Sequence, residues 1–125
     1  MTNVAVALTL SLCFYILAGI APATAITGRG TWYGGAGIGG ACTSSFNYPG
    51  FRTVAMNKPQ YLNGQACGGC VSGCFTQGGK KTCFKAIVDN LCPECGYGAL
   101  DFGWGGDGIV NVNWKCVTEP RCMFL

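Results

Sequence analysis

Charged side chains are scarce in this chain: eight basic and five acidic residues occur among 125, and histidine is absent. The only basic cluster is formed by Lys80, Lys81 and Lys85, whereas nucleic-acid binding requires a broader basic surface. The composition therefore argues against a nucleic-acid partner. Because low charge and 21 glycines leave little electrostatic repulsion between copies, the sequence permits self-association into a homo-oligomer.

The first 25 residues lack any charged side chain, and residues 4–20 are almost wholly apolar. The Ala-Thr-Ala at 23–25 has the small residues that signal peptidase recognises. The alternative is a membrane anchor, which requires about 18–20 apolar residues, so this stretch is borderline in length. We predict a signal peptide over 1–25, a secreted, extracellular mature chain over 26–125, and no membrane attachment after cleavage.

Helical periodicity is also missing, since no stretch longer than ten residues shows it together with helix caps. Residues 30–33 and 83–89 are typical of strands, and 109–117 alternates strictly between apolar and polar side chains. Residues 54–62 could hold one short helix. With no linker, repeat or second domain, the pattern predicts an all-β domain with minor α content, built as a small barrel.

Cysteine is abundant: nine of the ten cysteines follow the predicted cleavage site. Cys67-x-x-Cys70 and Cys92-x-x-Cys95 would suggest zinc in a cytosolic protein. Predicted export favours disulfides instead, because thiols pair in an oxidising compartment, and a domain of this size needs them to stabilise a small core. We expect no metal and no other cofactor. The odd number leaves one thiol free or paired with another chain.

Two carboxylates and one aromatic residue are candidates for chemistry. Asp89 ends an apolar strand and Asp101 lies within an apolar segment, where a carboxylate is costly unless it is paired. Together they could perform acid/base work on a glycosidic bond, or each could cap a turn. Trp104 lies among glycines without apolar neighbours and could stack on a sugar ring, whereas Trp114 belongs to the apolar side of its strand.

Six motifs occur in a characteristic order: GRGTWYGG at 28–35, GGAC at 39–42, NGQACGGC at 63–70, IVDNLCPEC at 87–95, GALDF at 98–102 and IVNVNW at 109–114. The order resembles the double-psi β-barrel shared by the N-terminal domain of expansins, by barwin-like and plant-natriuretic-peptide-like proteins and by RlpA-like proteins. The resemblance covers most of residues 28–117. It implies a six-stranded, disulfide-stapled barrel with a shallow groove for cell-wall polysaccharide.

The resemblance also implies roles for individual residues. Asp89 and Asp101 match the two groove-facing aspartates of the family, and Thr31 and Tyr33 match the Thr and Tyr of its first strand. With Trp104, these are the expected binding residues. The resemblance implies three disulfides: Cys42–Cys67, Cys70–Cys116 and Cys74–Cys83. The pairing of Cys92, Cys95 and Cys122 is left open.

Departures from the family pattern limit the expected activity. Related endoglucanases carry a catalytic Asp near the position of Trp32 and Tyr33, and this chain has none there; the His-Phe-Asp motif of plant expansins and the Glu and His of RlpA-like lytic enzymes are not found either. One residue is inserted after Asp89, a glycine-rich segment replaces the usual helix at 103–108, and we expect no second carbohydrate-binding domain. No catalytic residue is therefore assigned.

The expected function is non-hydrolytic binding or loosening of a polysaccharide of the cellulose, chitin or peptidoglycan class. Two alternatives are a protein-binding module, such as a cysteine-protease inhibitor or secreted effector, and a self-assembling structural protein cross-linked through the odd cysteine. A glycosidase or lytic transglycosylase is the least favoured function, since hydrolysis needs a second acid/base partner.

Overall fold

The computed structural model describes residues 25–35, 40–43, 46 and 49–117. The predicted signal peptide, apart from its last residue, and Cys122 lie outside these residues. In chain order the elements are β1 (Ile26–Trp32), β2 (Arg52–Asn57), α1 (Lys58–Tyr61), a 3-10 turn (Leu62–Gly64), β3 (Cys70–Gln77), β4 (Lys80–Cys92), β5 (Leu100–Phe102) and β6 (Val110–Cys116). None of the helices in the described part of the chain is long and apolar enough to cross a membrane.

The six strands close into a barrel in the order β1-β5-β2-β4-β3-β6. Two neighbouring pairs are parallel, β1 with β5 and β2 with β4, and the other four pairs are antiparallel. Closure leaves no open sheet edge. The predicted fold class, an all-β six-stranded barrel with little helix, is confirmed.

In β3, β5 and β6 buried residues alternate with more exposed ones, as strand geometry requires, whereas β2 and the middle of β4 are buried at consecutive positions. Its largest fully buried side chains include Trp114, Phe102 and Met56. The predicted alternation in the last strand is confirmed, since Val110, Val112 and Trp114 are buried while the residues between them are exposed. Residues placed between core residues therefore face outward, and this determines which side chains can form a surface site.

The helix predicted within residues 54–62 is wrong for its first half. Residues up to Asn57 belong to β2, which pairs with both β4 and β5, so burial between two strands overrides the local sequence preference. The helix is a single turn, Lys58–Tyr61. Asn57 caps it by accepting a hydrogen bond from the backbone N–H of Gln60 at 3.0 Å, and Leu62 ends it in a left-handed conformation with φ 51°.

The one-residue insertion after Asp89 is accommodated as a β-bulge. Val54 pairs with Val88 but Ala55 pairs with Asn90, so the register shifts by one residue at Asp89. A bulge redirects side chains locally without ending the strand. β4 consequently runs on to Cys92, rather than ending near Asp89 as the sequence suggested.

Three disulfides form in the described part of the chain: Cys42–Cys67, Cys74–Cys83 and Cys92–Cys95. The first two confirm the implied pairs, and the third settles one that the sequence left open. Because Cys67 and Cys92 bond to different partners, the two C-x-x-C motifs do not combine into one four-cysteine site.

The implied Cys70–Cys116 disulfide is wrong for this structure, in which the two residues are not bonded to each other. Cys116 lies opposite Val71 in the β3–β6 register, so it shares the face of Val71 and packs against the core. Cys70 precedes Val71 and therefore belongs to the opposite face of the sheet. An offset of one residue thus separates the two side chains.

Candidate functional site

A row of outward-facing residues crosses three neighbouring strands of the barrel. Leu100 and Phe102 are fully buried, so Asp101 between them faces outward. Its register partners are Thr31 on β1 and Ala55 on β2. Ala55 is only 2% exposed and lies beneath this surface. We call the outward surface of β1, β5, β2 and β4 the groove.

Thr31 orients the Asp101 carboxylate. The Thr31 hydroxyl donates a 2.8 Å hydrogen bond to Oδ1 of Asp101, and both side chains are only partly buried. The carboxylate keeps its other oxygen for further hydrogen bonds, since an ionised carboxylate accepts about four. The structure therefore brings together these two residues, as the sequence predicted.

Asp89 lies at the bulge of β4 and is 1% exposed. The Tyr33 hydroxyl is 3.5 Å from its Oδ1 atom, at the outer limit of hydrogen bonding. Tyr33 follows β1, so its ring reaches across the groove toward β4. Asp89 is thus a buried carboxylate beneath Tyr33, rather than the exposed side chain that direct binding to a ligand would require.

Electrostatics keeps the Tyr33 phenol protonated. Burial raises the pKa of Tyr33 above its usual value, the negative charge of Asp89 raises it further, and Asp101 adds a smaller effect in the same direction. A hydrogen bond with Asn90 opposes these effects in part. The neutral phenol remains a hydrogen-bond donor throughout the physiological pH range.

The loop at residues 40–43 is fixed beside the bulge. The backbone N–H of Ala41 donates to Oδ1 of Asn90 at 2.8 Å, and the N–H of Cys42 donates to the Asp89 carbonyl at 3.3 Å. The Cys42–Cys67 disulfide ties the same loop to the segment after α1. A Cβ at position 40 would lie 2.3 Å from the Asn90 side chain, so any residue other than glycine would displace the side chain that holds this loop.

A cleft of about 420 Å³ lies next to Thr31, at the other end of the groove. Its described lining residues come from β1 and from the loop that follows β4; they are Arg29, Thr31, Glu94, Cys95, Gly96, Tyr97 and Ala99. Tyr97 is 67% exposed. An exposed aromatic ring beside polar groups is the arrangement that stacks on a sugar ring.

Glu94 and Tyr97 were not identified from the sequence. The carboxylate oxygens of Glu94 and Asp101 and the sulfur of Cys92 lie within 4.8 Å of one another. The sulfur is bonded to Cys95, so two carboxylates are the anionic donors of this cluster. The available signal was Glu94 lying inside a C-x-x-C motif, since a disulfide over that spacing holds the loop close to the end of β4.

Trp104 does not join the groove. Its ring stacks on Phe102 with centroids 4.4 Å apart and contacts Phe84 at 5.5 Å; the Arg52 guanidinium carbon lies 5.0 Å from its centroid. The expectation that it lacks apolar neighbours is wrong, because the barrel brings Phe84 and Phe102 to its glycine-rich segment. Trp104 thus packs against a core residue, whereas the adjacent Asp101 faces outward.

Comparison with known proteins finds similarity to solved structures only. No protein-family model matches the chain, and no curated protein matches it. The apo structure of a Clavibacter michiganensis expansin matches with a TM-score of 0.61 and 25% identity, over 78% of this chain and 52% of that one. A mutant of an expansin from the same bacterium, in complex with cellohexaose, matches with a TM-score of 0.58, 23% identity and the same coverage.

A Streptomyces papain inhibitor is a further structural neighbour, with a TM-score of 0.51, 21% identity and coverage of 78% of this chain and 98% of that one. The chain spans about half the length of the two expansin structures. Together with the closed six-stranded barrel, these matches confirm an expansin-like double-psi β-barrel fold.

Proposed function

We propose that the protein is a secreted, expansin-like barrel that binds an extracellular polysaccharide along the groove without hydrolysing it. The observation that carries the proposal is the continuity of one surface. The Thr31–Asp101 hydrogen bond lies between Tyr33 above Asp89 at one end and the cleft with exposed Tyr97 at the other. The expansin neighbour with bound cellohexaose supports polysaccharide as the ligand class.

Each part of the groove has a role in this proposal. Asp101, already oriented by Thr31, accepts hydrogen bonds from sugar hydroxyls, and hydrogen bonds to a charged group contribute about 1.5–3 kcal/mol each. Tyr97 stacks on a sugar ring, while the Tyr33 hydroxyl, which donates to Asp89, accepts a hydrogen bond from a hydroxyl of a neighbouring sugar. Asp89 acts indirectly, by holding the Tyr33 hydroxyl in place.

Hydrolysis is not part of the proposal because it requires an acid and a base flanking the scissile bond. Asp89 is buried beneath Tyr33, where it is poorly placed to activate a water molecule. The end of β1 carries Trp32 and Tyr33 where the related endoglucanases carry an Asp.

The test is co-sedimentation of the purified protein with cellulose, chitin and peptidoglycan. We expect binding to at least one of them, and a loss of roughly tenfold in affinity for Asp101→Ala and for Tyr97→Ala, since tenfold corresponds to about 1.4 kcal/mol. Asp107→Ala is the matched control, because Asp107 is exposed in the loop before β6. Absence of binding to all three polymers and to their de-N-acetylated forms, or wild-type binding by both groove variants, would exclude the proposal.

A second candidate is inhibition of cysteine proteases. It is favoured by one observation: the match spans 98% of the papain inhibitor but only 52% of each expansin, so the inhibitor also consists of little more than one such barrel. Titration of papain activity with the purified protein separates the candidates. Inhibition that persists in Asp101→Ala and Tyr97→Ala would assign it to a different surface.

Export and oligomeric state complete the proposal. Three disulfides suit an oxidising compartment, and self-association through the odd cysteine would yield a cross-linked extracellular material. Non-reducing electrophoresis of secreted protein tests both points. A ladder that collapses on reduction supports cross-linking, whereas a single monomer band excludes it.

A further inference from the structure

The acidic residues of this chain are concentrated at the groove. The protein has only five, against a net charge of +3, and three of them are Asp89, Glu94 and Asp101. Of the other two, Asp107 is exposed before β6 and Glu119 lies outside the described residues. In this basic protein, three of the four carboxylates in the described residues therefore lie where the proposed ligand binds.

The three carboxylates lie close enough to influence the same part of the groove. Oxygens of Glu94 and Asp101 lie within 4.8 Å of each other, and Asp89 and Asp101 both act electrostatically on the Tyr33 hydroxyl. Glu94 is exposed and Asp101 partly so, and both can therefore touch a ligand. Asp89 is buried and contributes only its field.

Positive charge at this surface is limited. Among the described residues lining the cleft, Arg29 is the basic one, and it lies two residues before Thr31 on the same face of β1. Arg52 lies over the Trp104 ring instead. Glu94 and Asp101 together outweigh Arg29, so the open part of the groove favours a cation.

Tyr97 supplies an aromatic surface beside the carboxylates. Its ring is 67% exposed and lines the same cleft as Glu94. An aromatic face attracts a cation as well as a sugar ring. The cleft of about 420 Å³ lies within the usual range for small-ligand sites, about 300–1,000 Å³.

We infer that the preferred ligand is a polysaccharide that carries protonated amino groups, that is, a polymer of de-N-acetylated amino sugars. An ammonium group on the sugar binds between Glu94 and Asp101 while the ring stacks on Tyr97. This inference rests on the proposed function and narrows its ligand class, because neutral glucans and fully acetylated polymers lack the charge that these carboxylates bind.

The experiment is isothermal titration calorimetry with three hexasaccharides of equal length: glucosamine hexamer, its fully N-acetylated form and cellohexaose. It is carried out at mildly acidic pH, where the amines are protonated. We expect the glucosamine hexamer to bind about tenfold more tightly than either neutral hexamer at low salt. The advantage should shrink as salt is added, because screening weakens exposed charge pairs.

The variants Glu94→Gln and Asp101→Asn test the assignment, and both preserve side-chain size. Each should reduce the ratio of the affinity for the glucosamine hexamer to the affinity for the N-acetylated hexamer. Asp107→Asn removes the same charge outside the groove and should leave the preference unchanged. Thermal unfolding of each variant verifies that it is folded.

The outcomes distinguish the inference from the proposed function. Equal binding of all three hexamers by the wild type would overturn the inference and leave the proposed function intact. No binding of any hexamer, together with none to the insoluble polymers, would remove both. A preference weakened as much by Asp107→Asn as by Glu94→Gln would show nonspecific charge attraction and would also overturn the inference.

Discussion

The Tyr33 hydroxyl lies 3.5 Å from Oδ1 of Asp89, although two strands separate their elements in the barrel. Tyr33 follows β1 and Asp89 lies on β4, with β5 and β2 between them. The phenol therefore spans the groove and covers the bulge at Asp89. This contact makes one end of the groove sensitive to the protonation of a single tyrosine.

Tyr33→Phe should reduce the alkaline sensitivity of folding. Because the folded-state pKa of Tyr33 is raised above its usual value, its stabilising effect is complete below about pH 10, the usual pKa of tyrosine. It is lost as pH rises through the raised folded-state pKa. We expect the wild-type free energy of unfolding to fall more steeply above pH 10 than that of the variant, as measured by urea denaturation at a series of pH values.

Tyr97→Phe is the matched control for this experiment, because Tyr97 is largely exposed. It should retain the wild-type alkaline loss of stability. Identical curves for the wild type and Tyr33→Phe would contradict the effect assigned to the Tyr33–Asp89 contact.

Asn57→Ala should be strongly destabilising. The Asn57 side chain is completely buried, donates to Oε1 of Gln60 at 2.8 Å and to the Ala99 carbonyl at 2.9 Å, and caps α1. Its loss leaves buried groups unpartnered, at about 1–3 kcal/mol each. We expect a loss of about 2–4 kcal/mol in the free energy of unfolding, measured by urea denaturation.

Asn111→Ala provides the control, since Asn111 is exposed on β6, and such surface changes stay within about 0.5 kcal/mol. Ala99, whose carbonyl accepts a hydrogen bond from Asn57, directly precedes β5, the strand that carries Asp101. Polysaccharide binding by Asn57→Ala should therefore weaken even at temperatures where the variant is folded. Wild-type stability in Asn57→Ala would refute the role of this buried network.

Gly28→Ala should disrupt the contact between β1 and the turn before β5. A Cβ at position 28 would lie 1.9 Å from the carbonyl oxygen of Gly98, and the same oxygen accepts a 2.8 Å hydrogen bond from Nε1 of Trp114. We expect a fall of about 1–3 kcal/mol or more in stability, as for other overpacked sites, measured as the shift of the denaturation midpoint. Gly96→Ala is the control because a Cβ there meets no atom within 4 Å, and an equal cost at both positions would argue against the close approach.

Incubation with polysaccharide should release no reducing ends. Asp89 is buried beneath Tyr33, where it is poorly placed to activate a water molecule. The assay measures reducing sugar with cellulose, chitosan and peptidoglycan over long incubations. Release that disappears in Asp101→Asn but persists in Asp107→Asn would establish hydrolysis and overturn the non-hydrolytic proposal.

Much of the fold could be predicted from local patterns. The alternation from Val110 to Trp114 predicts which face of β6 is buried, because strand side chains alternate with a period of two. The order of the motifs predicts the barrel and two of its disulfides. The same resemblance implies that Thr31, Tyr33, Asp89 and Asp101 belong to one groove. That Thr31 contacts Asp101 and Tyr33 contacts Asp89 comes from the structure.

Other features depend on contacts between distant segments. The sequence does not contain the β3–β6 register, which places Cys70 and Cys116 on opposite faces, and it does not reveal that Phe84 and Phe102 cover Trp104. Glu94 and Tyr97 join the groove because the Cys92–Cys95 disulfide and barrel closure hold their loop beside β1 and β5. The sequence by itself determined the alternation of β6, through its periodicity, and the barrel with its expected groove residues, through the resemblance of its motif order. Only the tertiary structure decided which carboxylates are open to a ligand, because burial is set by register, bulges and neighbouring loops.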